Sequence, residues 1–248
     1  MSRAVITFNI ARWRAWAPGL ETPEQWAAWS TAPGIPPVSE ALPDVSFLPA
    51  MQRRRLSHTA RMAFSVAWPL AEGIDNLPMV FVSRHGETPR TFNILSDLSR
   101  SEPLSPTQFS LSVHNAVIGL WSIMRGETSE MTALAASGDG LENGVLEAAA
   151  MLHEGAEAVL LVLTEEHPPE AYASWINDVP FPYAVALLLT AGTDWQLSLA
   201  PCDTGTERPQ WPHPLNLLRL LNGTVSELHH PFRSRTWAWR HNAVQPAP

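Results

Sequence analysis

Several stretches of the chain hold residue types capable of covalent or proton-transfer chemistry. The run VFVSRHGETPR, residues 80 to 90, ends an apolar segment in Arg84-His85-Gly86-Glu87-Thr88. An imidazole beside a guanidinium can attack a phosphoryl group whose oxygens the cation holds. A second stretch, Ala135-Ala136-Ser137-Gly138-Asp139-Gly140, offers a hydroxyl in a small-residue turn. A serine there becomes an acyl nucleophile only with a base beside it, and Asp139 reads equally well as a helix cap. The single thiol, Cys202, lies in a proline-flanked loop far from that turn. His229 and His230 are adjacent, so in a strand they point to opposite faces and share no site. A surface or interface role is the expectation for that pair.

The elements that position these residues follow from periodicity. Residues 4 to 10 are β-branched and aromatic and predict a first strand. Residues 22 to 29 predict a short helix, with Thr22 as cap and Pro23 in the first turn. A proline-rich loop covers 31 to 50. From 52 to 68, apolar residues at helical spacing predict one amphipathic helix, with Arg53, Arg54 and Arg55 on a solvated face. Residues 79 to 83 predict a buried strand, 89 to 99 a helix, 110 to 124 a helix and 130 to 136 a strand. Residues 139 to 153 place Leu141, Val145, Leu146, Ala149 and Leu152 on one helical face, and 157 to 164 form a further buried strand. Strand, helix, strand in that order is a βαβ unit. Residues 183 to 190 and 195 to 199 predict a hairpin turning at Gly192-Thr193-Asp194. A helix over 213 to 223 and a strand over 235 to 241 complete the pattern.

Composition narrows the function. With 248 residues and 45% hydrophobic content, the chain suits one domain over residues 1 to 242, with 243 to 248 as a disordered tail. A net charge of -8 and a pI near 5.6 argue against a nucleic-acid partner. One cysteine excludes an internal disulfide and a multi-cysteine metal site, and fits a reducing cytoplasm. Neither a membrane span nor a signal peptide is expected.

The pentapeptide at 84 to 88 resembles the first motif of histidine phosphatases and phosphoglycerate mutases. That family carries it on the opening strand and supplies a second histidine as His-Gly on a later one. Here the motif follows roughly eighty residues of chain and His-Gly does not recur. The expectation is that Arg84 and His85 finish a strand and that Gly86 permits the turn after it; a phosphatase using His85 is the lesser alternative.

Residues 105 to 126, SPTQFSLSVHNAVIGLWSIMRG, followed by 132 to 163, are similar to the amino-terminal half of a β-ketoacyl synthase of the thiolase superfamily. The points of likeness are Asn115 with Gly119 four residues on, a strand ending at an elbow, a helix from that elbow to Glu154-Gly155-Ala156, and a buried strand after it. The resemblance implies an α/β thiolase-like fold, limited mainly to the amino-terminal half, with a mixed sheet and flanking helices. An active synthase has a cysteine at the elbow; the equivalent here is Ser137 with Gly138. The chain also ends where the second half of a full synthase would barely have begun.

These departures resemble a chain length factor, in the short form encoded in aryl polyene gene clusters. The implied function is a non-catalytic subunit that pairs with an active β-ketoacyl-ACP synthase and shapes its acyl tunnel. It would meet the phosphopantetheine-bound acyl chain of the acyl carrier protein through that partner, and would need no cofactor. By the same resemblance, the strand over 130 to 136 pairs across the dimer axis, and Leu111, Ser112, Val113, His114 and Asn115 reach toward the partner's tunnel. His114 reads equally as a satisfied core histidine. An independent acyltransferase or hydrolase using Ser137 is the alternative.

Overall fold

The computed structural model describes residues 5–37, 39, 41–201 and 210–242. Cys202 and the tail at 243 to 248 lie outside the described residues, as does part of the first strand's expected range. Within them, a mixed sheet is covered by helices on both faces, an architecture set by strands that are apolar on both sides.

The centre of the sheet is β2 (Met79–Val82), β4 (Ala158–Glu165) and β5 (Tyr183–Pro201). β2 runs parallel to β4 and to the edge strand β3 (Met131–Leu134), while β4 and β5 are antiparallel. Along β4, Val159, Leu161 and Leu163 face one layer and Leu160 and Val162 the other. The first layer holds α1 (Pro23–Thr31), α7 (Gly140–His153) and α8 (His213–Leu221). The second holds α3 (His58–Ala71) and α6 (Ala116–Arg125). The remaining helices, α2 (Ala50–Arg53), α4 (Thr88–Ser99) and α5 (Pro106–Ser110), bury no residue.

Most expected elements form. Thr22 caps α1 in a reciprocal box with Gln25. The helix expected over 52 to 68 is two pieces, because the Ser57 hydroxyl accepts from Ala60 N at 3.0 Å and starts α3 afresh. Arg54 and Arg55 lie exposed in the turn between them, not on a helix face. The helix expected from 110 begins at Ala116.

The expected hairpin at Gly192 does not exist: β5 is one strand. β1 (Val5–Trp16) runs antiparallel along both its halves, and the register jumps from Phe8 opposite Trp195 to Asn9 opposite Thr190. The extra residues bulge out around Asn9, whose Oδ1 accepts from Asp194 N at 3.0 Å. A Cβ on Gly192 would stand 2.1 Å from that oxygen, so only glycine admits the side chain. The far half of β5 pairs with β7 (Arg235–His241), which pairs in turn with β6 (Glu227–Phe232). Among the described residues, no helix is long and apolar enough to cross a membrane.

α7 approaches the sheet tightly at Gly144. A Cβ on Gly144 would stand 2.7 Å from Leu161 and 2.8 Å from Val82, both in the buried sheet. Gly144→Val should therefore lift the helix and lower stability by about 1–3 kcal/mol, the usual cost of overpacking. Urea unfolding checks this; an unchanged midpoint would refute the tight contact.

Candidate functional site

The strand-turn-helix formed by β3, residues 135 to 139 and α7 is the structural elbow. Gly140 N donates to Ser137 O at 3.0 Å and closes the turn. Ser137 and Gly138 are exposed, and both line a cavity of about 420 Å³ walled by Tyr183, Trp211, Phe232 and the ends of β2 and β4. The turn contains no cysteine. No described group hydrogen-bonds the Ser137 hydroxyl. Asp139 occupies the N-cap position of α7, as expected, but its side chain does not cap the helix: its buried carboxylate accepts from Arg235 Nε at 2.9 Å and Trp237 Nε1 at 3.0 Å. It ties the elbow to β7.

One helical turn further on, Glu142 is fully buried and accepts three N–H groups. His213 Nδ1 donates at 2.8 Å, His230 Nδ1 at 2.7 Å and Trp239 Nε1 at 3.0 Å. These donors come from α8, β6 and β7. Burial pushes the Glu142 carboxyl up, but the two imidazoles outweigh it and hold the group well below the usual carboxylate range. Burial lowers His230 and keeps it neutral. Its Nε2 has no partner, which a bare lone pair tolerates far better than a buried N–H⁺ would.

The three side chains bring donor atoms within 4.8 Å of one another, close enough to test for a metal ion. The ring geometry argues against one. The imidazoles stack with centroids 3.9 Å apart and 18° between planes, so no nearby point lies in the plane of both rings. A metal bound about 2.0–2.1 Å from each nitrogen needs converging lone pairs. The parallel rings instead give each carboxylate oxygen its own N–H.

A second polar group lines the same cavity as Ser137. Glu165, at the end of β4, accepts from the backbone N–H groups of Arg84 and His85 and from the Ser83 hydroxyl. Burial pushes its carboxyl up to about 7. Asp178 accepts from His85 Nε2 at 3.1 Å and pairs with the Arg84 guanidinium. Burial opposes ionisation of Asp178, yet these two partners hold it down at about 2. The Arg84-His85 pair thus binds a carboxylate of its own chain, and a phosphoryl group would have to displace it. As expected, Gly86 turns the chain, at a φ of 53°.

The expected tunnel-facing residues divide. Leu111 packs into the core of α3 and α6, and Ser112 donates to Phe109 O at 2.8 Å. His114 Nε2 donates to Ser83 O at 2.8 Å, a structural role. Val113 and Asn115 point outward. His229 and His230 take opposite faces as alternation requires, but the surface role expected for the pair fails for His230, which is 0% exposed. Sequence reading missed the histidine fork because Glu142 is 71 residues from His213 and 88 from His230, with no local spacing to join them.

With fold and site in place, comparison gives the family. The beta-ketoacyl synthase N-terminal domain model matches residues 26–240, and the chain belongs to that family. It is similar to a chain in the structure of the ketosynthase ApeO in complex with its chain length factor ApeC from Xenorhabdus doucetiae. The TM-score is 0.85 at 33% identity, over 95% of this chain and 100% of that one. The ishigamide ketosynthase/chain length factor follows at TM-score 0.59 and 14% identity, over 79% and 67% of the two chains. A beta-ketoacyl synthase from Burkholderia phymatum STM815 gives 0.56 and 13%, over 91% and 71%. The last two share the fold. No curated protein sequence matches the chain. The thiolase-like α/β fold expected from the sequence is the one observed.

The raised carboxyl of Glu165 carries a pH signature. Its folded pKa, about 7, exceeds the ordinary 4.5, so its contribution to stability is complete below about pH 4.5 and is lost as pH rises through 7. Glu142 and Asp178, depressed in the fold, act oppositely and only at lower pH. Glu165→Gln keeps the neutral shape, so it should gain on the parent protein by up to about 3 kcal/mol between about pH 5 and pH 7.5. Urea unfolding at both values measures the difference; a difference that does not change with pH would contradict the buried neutral acid.

Proposed function

We propose that this chain is a chain-length-factor-like subunit that pairs with an active β-ketoacyl-ACP synthase, supplies no condensing cysteine, and shapes the partner's acyl tunnel in polyene or fatty-acid-type elongation. One observation carries the reading: among the described residues β3 has a free edge, and the stretch of chain before it, residues 95 to 123, exposes six large apolar side chains. Leu95, Leu98, Leu104, Phe109, Val113 and Ile123 are exposed by 41 to 70%. They lie on α4, α5, α6 and the joining loops, and α6 packs against β3.

Exposed apolar side chains along one stretch of chain suit a protein interface. Among the described residues β3 pairs only with β2, leaving an open edge for a strand of another subunit. Similarity to a ketosynthase and chain length factor complex supports a ketosynthase as that subunit. The acyl carrier protein would deliver its phosphopantetheine-bound chain to the partner. Aryl polyene synthesis is the pathway the resemblance favours, and the cytoplasm the compartment.

Co-expression with the ketosynthase encoded nearest to this chain should yield a stable one-to-one heterodimer, read by the mass of the purified complex. A well-folded monomer that ignores the ketosynthase would overturn the reading. Within the heterodimer, Val113→Trp should shorten the products, because a larger wall rejects further carbon units by overlap. Product chain lengths that do not change would end the role of Val113 in gating.

A further inference from the structure

The elbow cavity holds more than a vestigial turn. Glu142 fixes the His213 ring through Nδ1, and Glu142 is itself held by His230 and Trp239. The His213 side chain is 6% exposed and lines the same cavity as Ser137. With Nδ1 engaged, Nε2 is its remaining ring nitrogen, and no described group bonds it. Ser137 stands exposed ahead of α7, a helix of 14 residues. The backbone N–H groups of Gly138 and Asp139 donate to no described acceptor.

A hydroxyl at an elbow, an imidazole anchored by a buried carboxylate, and free amides after the hydroxyl are the parts that acyl transfer to serine requires. We propose that the elbow cavity hydrolyses acyl thioesters, with Ser137 as nucleophile, His213 as general base and Glu142 as the residue that positions His213. This activity is separate from condensation and does not depend on the subunit role proposed above.

The steps balance without any reagent but water. Ser137 Oγ attacks the thioester carbonyl while its proton passes to His213 Nε2. The C–S bond breaks, and the departing sulfur takes that proton and leaves as a thiol. Water then attacks the acyl-serine ester, His213 accepts its proton and returns it to Ser137 Oγ, and the acid is released. No described hydrogen bond joins Ser137 to His213; catalytic contacts of this kind commonly tighten only when substrate fills the cavity. A thioester is favoured over a phosphate ester because the Arg84 guanidinium near this wall already pairs with Asp178.

The test uses the full chain, alone and in its heterodimer, with octanoyl-coenzyme A as the probe. Thiol release is followed by colour, and the quenched subunits are weighed intact and digested. The expected result is an octanoyl adduct on the peptide containing Ser137, with thiol release about 100-fold or more lower in Ser137→Ala. Ser137 is exposed, so that variant should fold, and an unchanged melting temperature checks it. Glu142→Asp should retain part of the rate that Glu142→Gln loses, with KM unchanged. Thiol release no faster in the parent protein than in Ser137→Ala would overturn the proposal, as would an adduct on Cys202 instead. Heterodimer formation by Ser137→Ala keeps the two proposals apart, because assembly does not need the hydroxyl.

Discussion

The buried carboxylate of Glu142 is the interaction on which the carboxy-terminal third of the described chain depends. A lone carboxylate at that depth would be prohibitively costly, and a neutral acid would bring a buried O–H that finds no acceptor among three N–H donors. Each donor comes from a different element, so α8, β6 and β7 must all dock before the charge is satisfied. Partial docking leaves a buried charge exposed to part of its desolvation cost, which makes the arrangement cooperative. Asp139 repeats the logic one turn earlier with Arg235 and Trp237. The elbow is thereby bolted to the last strand of the sheet from beneath.

Much of the fold was legible because its signals are local. Within the runs at 79 to 83 and 157 to 164, residues 79 to 82 and 158 to 163 are apolar at every position, as strands buried on both faces must be, and the helix at 139 to 153 shows its inner face by spacing alone. The Ser57 cap that divides the helix over 52 to 68 was overlooked behind a continuous apolar period. Gly192-Thr193-Asp194 carries the chemistry of a turn, yet Asn9, about 180 residues away, reads it as a bulge. β6, with two histidines and Pro231 in six residues, lacks the composition of a strand and forms through pairing with β7.

The site was legible in outline and hidden in its chemistry. The elbow could be located because strand, small-residue turn and helix follow one another directly. Its supporting groups could not, since a carboxylate and two imidazoles widely separated in sequence share no motif. His230 shows the limit of pattern reasoning: alternation gives its face correctly, but only the packed structure reveals that this face is the core. Arg84-His85 shows the converse, a compact motif whose partners turn out to be Glu165 and Asp178 of the same chain.

The open edge of β3 is only four residues long. A strand of that length presents about four backbone groups to a neighbour, each net hydrogen bond worth on the order of 1 kcal/mol. Such a ladder is too weak to hold two subunits together, but a slip of one residue would turn every side chain to the wrong face. In the proposed heterodimer β3 would therefore act as a ruler: it would fix where along the axis two subunits meet, and leave the strength of the grip to the apolar residues around it.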